Sequence, residues 1–276
     1  MKISMQSIIL PGTDLPTSRL GFGTASLHHA FCSRERQALL GAALDAGLTH
    51  FDTARIYGEG LAERELGRFL GKKTRNEVTI ATKFGISANP TLERFPLLMY
   101  AQRALGGVGR RLVPQWWDHR RIISHEQAET SLTASLKALQ TDWIDILFVH
   151  EPQLADVGAL LGMADWLERQ KACGRVRWLG LAGNARHCID VAQQTDRLFE
   201  ILQVEDSLAA HEADVVTQTG HPLQITFGYL RQATAAQPQA DGSAVMQAAL
   251  ARNPHGMILV SSRQPQRLRT LVALTA

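Results

Sequence analysis

The feature that most restricts the fold is a regular alternation of apolar, strand-like segments with amphipathic, helix-like segments along most of the chain. Such units in succession predict parallel strands joined by right-handed crossovers, and eight of them can close on themselves. We therefore predict an α/β fold, a (β/α)8 TIM barrel, preceded by an N-terminal β-hairpin around PGTD. The predicted strands are RLGFGTA, THFDTA, EVTIATKFG, WIDILFVH, VRWLGLAG, FEILQVE, PLQITFGYL and GMILVSS.

The same alternation also permits an open, doubly wound sheet. The Gly-rich fingerprint expected after the first strand of such a sheet is missing, because GFGTAS does not match G-x-G-x-x-G. The length of 276 residues suits one barrel, and we expect residues 1–276 to form a single domain. The stretch from Gly85 to Ile123 is predicted to be one long irregular connection, of a kind that often serves as a lid or binding loop.

Composition and charge argue against several other classes of protein. The formal net charge is +3 with no basic arm or stripe, so we do not expect nucleic acid as a partner, although the balance suits a phosphorylated ligand. No run of about eighteen apolar residues occurs, and the start of the chain lacks the apolar core of a signal peptide. The three cysteines lack metal-type spacing and suit a reducing compartment. These observations predict a cytoplasmic protein without a membrane span.

Four residues with chemically useful side chains fall at the ends of neighbouring predicted strands or just beyond them. Asp52, Lys83 and His150 end the second, third and fourth strands, and Tyr57 follows Asp52 in the next loop. Because the carboxyl ends of barrel strands meet at one mouth, we expect the four to lie close together. Taken singly, each has a simpler interpretation, as a capping aspartate, a solvated lysine or a buried structural histidine.

Together, these side chains could polarise a carbonyl group and protonate its oxygen. A buried ammonium at Lys83 is predicted to lower the pKa of the Tyr57 phenol and make it a proton donor, while Asp52 keeps the lysine charged. His150 would orient the carbonyl oxygen. Side chains cannot supply the hydride that completes such a reaction, so we predict a nicotinamide cofactor.

The last predicted strand–helix unit offers a binding site for the phosphates of that cofactor. Ser261, Ser262, Arg263 and Arg267 surround a strand end and a helix start, where backbone N–H groups and the helix dipole favour anions. Taken alone, Ser262 is more simply an N-cap and Arg267 a solvated helix residue. The position in the eighth unit favours the phosphate site, because barrels of this kind often bind phosphate after the seventh and eighth strands.

Five longer segments of the chain are LGFGTA, FDTARIYGEGLAERELGRFL, VTIATKFG, SLTASLKALQTDWIDILFVH and GRVRWLGLAG. They resemble successive signatures of the aldo-keto reductase family, in the family's order, and the resemblance extends from about Arg19 to Leu268. The resemblance implies an NADPH-preferring barrel enzyme that interconverts small-molecule aldehydes or ketones and alcohols, with Tyr57 as acid, Lys83 and Asp52 as its support and His150 orienting the substrate.

The resemblance also implies contacts to the cofactor. Gln203 matches the glutamine that hydrogen-bonds the nicotinamide carboxamide, and Phe227 falls near the aromatic residue that stacks on the nicotinamide ring. Ser262 and Arg267 fit contacts to the adenosine 2′-phosphate, which would favour NADPH over NADH, whereas Ser261 stands where a lysine is common.

The chain departs from the family pattern at two places that concern the cofactor. The usual Ser-Asn pair after the fifth strand reads Ala182-Gly183, with Asn184 one place later, and the Glu-Asn pair of the last helix reads Thr270-Leu271. Substrate specificity is expected to depend on the loop after the first strand and on the long connection. The expected substrate-binding residues are His28, Trp116 and Trp117.

Two other functions are compatible with parts of the sequence. A nicotinamide-nucleotide-binding sensor or regulatory subunit would keep the cofactor site but turn over little, and the altered cofactor positions leave room for it. A metal-dependent hydrolase would need clustered histidine and carboxylate ligands at strand ends, and His150 is the one histidine placed there by the pattern. We therefore predict no metal site.

Overall fold

Eight parallel strands pair in chain order and close into a barrel, as the sequence predicts. The structure is a computed structural model and describes residues 5–112 and 119–275. The last strand closes the ring by pairing with the first, with Ile258 opposite Leu20. The barrel strands are β3 (Leu20–Gly23), β4 (His50–Asp52), β5 (Thr79–Phe84), β6 (Ile144–His150), β7 (Val176–Gly183), β8 (Ile201–Glu205), β9 (Ile225–Phe227) and β10 (Met257–Val260).

An antiparallel hairpin precedes the barrel, which confirms that prediction. It consists of β1 (Ser7–Ile9) and β2 (Pro16–Ser18). Leu10 and Leu15, in its turn, are fully buried. They share an apolar cluster with Ile201, Ile225 and Met257, which are the first residues of their strands. The hairpin therefore covers the amino-terminal end of the barrel, opposite the mouth where the strands end.

The helices pack outside the barrel strands. The segment HEQAETSLTASLKALQ has the pattern of a helix that starts near Ser124, and α5 does begin there. The Ser124 side chain caps this helix by accepting a hydrogen bond from the Gln127 N–H at 3.2 Å. Among the described residues, no helix is long and apolar enough to cross a bilayer. The helices are α1 (Ser33–Asp45), α2 (Leu61–Thr74), α3 (Pro90–Arg94), α4 (Pro96–Leu112), α5 (His125–Leu139), α6 (Val157–Gly162), α7 (Ala164–Ala172), α8 (Ala185–Gln194), α9 (Asp214–Gln218), α10 (Tyr229–Ala236), α11 (Gly242–Arg252) and α12 (Pro265–Ala273).

The sequence prediction was wrong about the connection from Gly85 to Ile123. It contains two helices, α3 and α4, rather than one irregular stretch. Each helix begins at a proline, Pro90 and Pro96, and proline is well tolerated at a first helical position because the N–H that it lacks has no helical partner there. Asn89 caps α3 by accepting from the Thr91 N–H at 3.0 Å.

The seventh unit also differs from its prediction. Its strand ends at Phe227, and the chain enters α10 at Tyr229, which the sequence had placed in the strand PLQITFGYL. Gly228 makes the junction with a φ of +108°, a conformation that residues with a Cβ rarely adopt. The aromatic and branched side chains of this segment made the predicted strand longer than the observed one. The segment ALLGMADWLERQKACG, whose pattern predicts one helix, is likewise divided into α6 and α7.

Gly67 lets α2 approach α5 closely, and its replacement by alanine should be destabilising. A Cβ at this position would overlap the carbonyl oxygen of Ala138 and lie 2.7 Å from Leu139 Cα, and neither backbone atom can turn away. We expect Gly67→Ala to lower the free energy of unfolding by about 1–3 kcal/mol, measured by urea denaturation. Gly158→Ala in α6 is the matched control, because nothing lies within 4 Å of its added Cβ. It should stabilise slightly, and equal losses from both variants would refute the packing argument.

Candidate active site

The four strand-end residues lie together at the barrel mouth. Asp52 ends β4, Lys83 is the penultimate residue of β5, His150 ends β6, and Tyr57 sits in the turn after β4. All four line one cavity of about 460 Å³. The parallel register explains this convergence, because neighbouring strands end at the same edge of the sheet.

The charged centre of the site is a buried ion pair. Lys83 Nζ donates to Asp52 Oδ1 at 2.5 Å and to the carbonyl oxygen of Thr53 at 2.9 Å, and both charged side chains are almost inaccessible to water. Burial alone would lower the pKa of Lys83, but the interactions with Asp52 and Tyr57 outweigh it and raise that pKa above its ordinary value. Lys83 is therefore a fixed ammonium group inside the cavity.

Tyr57 lies against this ammonium group. Lys83 Nζ is 5.0 Å from the centroid of the phenol ring, and the ring meets the His150 imidazole edge to face at 6.0 Å between centroids. Lys83 acts to lower the pKa of Tyr57, as the sequence predicted, but the net shift has the opposite direction. Burial raises the pKa by more than the lysine charge lowers it, so the pKa of Tyr57 lies above its ordinary value. Tyr57 holds its proton firmly at neutral pH.

The turn that carries Tyr57 is held by a tight backbone and by buried charges. Gly58, with a φ of +57°, leaves no room for a side chain, because a Cβ there would lie 2.6 Å from His28 Cβ. The Glu59 carboxylate accepts from the Asn89 N–H at 2.7 Å and contacts His119 Nε2 at 2.6 Å. These contacts tie the turn to the connection between β5 and α5.

His150 is a neutral imidazole. Burial, together with the charge of Lys83, lowers its pKa to about 3. Its Nδ1 atom is buried and finds no hydrogen-bond partner among the described residues. At neutral pH the ring therefore adds no charge to the cavity and can exchange hydrogen bonds with an uncharged polar group.

The predicted cofactor residues divide between this cavity and a neighbouring cleft. Gln203, Phe227 and Ser261 line the cavity, and the buried Oε1 atom of Gln203 has no hydrogen-bond partner among the described residues. The cleft, of about 950 Å³, shares Ala25, Arg231 and Ser261 with the cavity. An elongated ligand could therefore occupy both. The predicted residues of the cleft are Ser261, Ser262, Arg263 and Arg267.

Two details of the cleft and of β7 differ from the simplest interpretation of the sequence. Helix α12 is preceded by Gln264 at its N-cap position, so Ser262 is not the cap and instead accepts from the Gln264 N–H at 3.1 Å. Asn184 accepts from the His187 N–H at 3.2 Å as the N-cap of α8. Its side-chain oxygen is thus engaged in the helix cap.

Comparison with known proteins decides the family. The sequence profile of the aldo/keto reductase family matches residues 19–217. The chain belongs to the aldo/keto reductase family. It is 34% identical over 166 residues to the D-threo-aldose 1-dehydrogenase of a Pseudomonas species, a match that covers 59% of this chain and 49% of that protein. It is 29% identical over 169 residues to the aldo-keto reductase yakc [NADP(+)] of Schizosaccharomyces pombe, with 59% and 42% covered.

The matches to these curated relatives thus span about half of their length or less. Solved structures of similar proteins match a larger share of this chain. The holo form of an aldo-keto reductase from Bacillus halodurans superposes with a TM-score of 0.72, covering 99% of this chain and 91% of that one at 17% sequence identity. At this identity the likeness supports the barrel fold alone.

Sequence reasoning missed three charged residues in the wall of the cavity. They are Glu151, Glu205 and Arg231. Glu151 and Glu205 stand at or directly after strand ends, which is the position that identified the other site residues. They were missed because glutamates at such positions are ordinarily exposed to solvent.

The predicted substrate residues are only partly located. His28 is half-buried, stacks on His29 with 4.4 Å between ring centroids and lies beside the Tyr57 turn. His28 is therefore near the cavity but is not among the described residues that line it. Trp116 and Trp117 lie outside the described residues. Within residues 5–112 and 119–275, no group of three or more His, Cys, Asp or Glu residues could hold a metal ion.

Proposed function

We propose that this aldo/keto reductase is an NADPH-dependent oxidoreductase that interconverts aldehydes or ketones and alcohols. The observation that carries the proposal is the buried Lys83–Asp52 pair against the Tyr57 phenol, beside the neutral imidazole of His150 in one cavity. Such a set has a proton to give, a charge to stabilise the resulting phenolate, and a neutral group to orient a carbonyl.

The cavity and cleft have groups that suit NADPH. The unpartnered Oε1 of Gln203 can accept from a carboxamide N–H, and Phe227 offers an aromatic face in the same cavity. Arg263 and Arg267 in the adjoining cleft suit phosphate oxygens, assisted by Ser261 and Ser262. NADPH bound in this way would supply the hydride for the carbonyl carbon.

The chain's own residues would manage the proton. The Tyr57 O–H donates its proton to the carbonyl oxygen as negative charge develops there, and the Lys83 ammonium stabilises the phenolate that remains. His150 holds the same oxygen in place by a hydrogen bond. Asp52 keeps Lys83 charged and fixed. For an alcohol the direction reverses, and Tyr57 would have to lose its own proton before its phenolate could accept the hydroxyl proton.

A turnover assay with a panel of aldehydes, ketones and alcohols tests this proposal. We expect the reduced-nicotinamide absorbance to change with at least one substrate, and to do so more efficiently with NADP(H) than with NAD(H). Tight nucleotide binding without turnover on any member of the panel would instead support a sensor or regulatory subunit. Failure to bind nicotinamide nucleotides would refute both functions.

Arg267 should discriminate between the two nicotinamide dinucleotides. We expect Arg267→Ala to weaken NADP+ binding by about tenfold and to leave NAD+ binding nearly unchanged, because the guanidinium would contact a phosphate that NAD+ lacks. Fluorescence titration of the protein with each nucleotide measures both constants. Arg269→Ala, an exposed arginine of the same helix, is the matched control. Equal weakening of both nucleotides would place Arg267 elsewhere in the binding site.

A further inference from the structure

Glu151 has an unusual conformation at the barrel mouth. It follows β6 directly, lines the cavity and has a φ of +53°, in the left-handed region that residues other than glycine rarely adopt. Its N–H donates to the carbonyl oxygen of Ala182 at 2.7 Å, which fixes the backbone of this turn against β7. The fixed backbone conformation of Glu151 thus places its side chain in the lining of the cavity.

Gly183 makes room for the Glu151 carboxylate. A Cβ at position 183 would lie 2.6 Å from Glu151 Oε2 and 2.9 Å from Cδ. The φ of Gly183 is +151°, which also disfavours any other residue. The missing side chain at 183 and the carboxylate of 151 therefore share one space, and the carboxylate occupies it.

This carboxylate is the unbalanced charge of the cavity. Asp52 is paired with Lys83, and Glu205 is paired with Arg231. Across the part of the chain that the structure describes, Glu151 makes no ion pair with a basic side chain. Partial burial raises the pKa of the Glu151 carboxyl, and the charge of Glu205 adds to the effect. Together they outweigh the hydrogen bond from the Asn184 backbone and the interactions with His187 and Lys83, which lower this pKa. The described lining thus carries one excess negative charge when Glu151 is ionised.

We propose that Glu151 makes the cavity bind oxidised nicotinamide more tightly than reduced nicotinamide, a proposal that rests on the function proposed above. The oxidised ring carries a positive charge and the reduced ring carries none, whereas the rest of the nucleotide is the same in both. A nearby carboxylate therefore stabilises the oxidised form selectively. Because carbonyl reduction produces the oxidised ring, stabilising that ring would shift the equilibrium between bound reactants and products toward oxidised nicotinamide and alcohol.

Calorimetric titration of the full chain with NADP+ and with NADPH tests the proposal without turnover. The wild-type protein should bind NADP+ more tightly than NADPH. Glu151→Gln, which keeps the shape and removes the charge, should shift the ratio of the two dissociation constants by about tenfold toward NADPH. Glu151→Asp, which keeps the charge, should retain most of the wild-type ratio. Glu168→Gln, on α7, is the control and should leave the ratio unchanged.

Each other outcome is decisive. Wild-type protein that binds NADPH as tightly as NADP+, or tighter, overturns the proposal before any variant is made. An unchanged ratio in Glu151→Gln overturns it as well, and equal shifts in Glu151→Gln and Glu151→Asp would show that shape rather than charge matters. In these cases the proposed oxidoreductase function stands. Wild-type protein that binds neither nucleotide overturns both proposals together.

Discussion

Replacing Tyr57 by phenylalanine is expected to lower kcat/KM for every accepted carbonyl by about 10²–10⁴-fold, the usual contribution of a general acid. The substitution removes only the hydroxyl group, so the ring contacts with Lys83 and His150 persist. Turnover should fall while the dissociation constant for NADP+ stays within about twofold of the wild-type value. Steady-state kinetics and nucleotide titration on the same preparation separate the two.

Tyr100→Phe is the matched control for the loss of a phenol hydroxyl. Its hydroxyl accepts from Arg36 Nη1 at 3.1 Å on the outer side of the barrel, away from the cavity lining. This variant should keep wild-type kinetics. Full turnover in Tyr57→Phe would remove the tyrosine from the mechanism, whatever the control does.

Lys83→Met should have the second largest effect, and on stability as well as on rate. It leaves the Asp52 carboxylate buried without its cation, and breaking one partner of a buried pair typically costs about 3–5 kcal/mol. The methionine fills the volume, so little of the loss would come from a cavity. Urea denaturation followed by circular dichroism measures the stability, and the nicotinamide absorbance measures the activity, which should be almost abolished.

Adding Asp52→Asn to Lys83→Met separates the two roles of the pair. The double variant buries no unpaired charge, so much of the lost stability should return, while the activity should not. A single variant that costs less than about 1 kcal/mol would show that the carboxylate gains water or simply takes up a proton, and that the ion pair is weaker than its burial indicates.

The sequence was sufficient for the fold and for the gathering of the four central residues, because both follow from periodicity. Alternating segments determine which strands are neighbours, and parallel strands place Asp52, Lys83 and His150 at one end. The direction of the pKa shift of Tyr57 did not follow, because it depends on how completely the ring is buried. The burial of the Tyr57 ring depends on how the loops pack, and loop packing produces no periodic pattern in the sequence.

The least predictable feature is the space shared by Glu151 and Gly183. It depends on a left-handed backbone at a residue with a long side chain, and no local pattern identifies such a conformation in advance. A glycine in place of an expected asparagine looked like a lost contact when seen alone. In three dimensions it is the partner of a carboxylate that arrives from the neighbouring strand.

The hairpin under the barrel has a consequence for the movement of protons. Leu10 and Leu15 cover the amino-terminal end of the barrel with fully buried apolar side chains. On the function proposed above, protons that Tyr57 gives or takes would pass through the carboxyl-terminal mouth, the opening that would also admit the substrate and its cofactor. Recharging the acid with a proton and releasing the product would then share one exit, and each turnover would have to complete both there before the next begins.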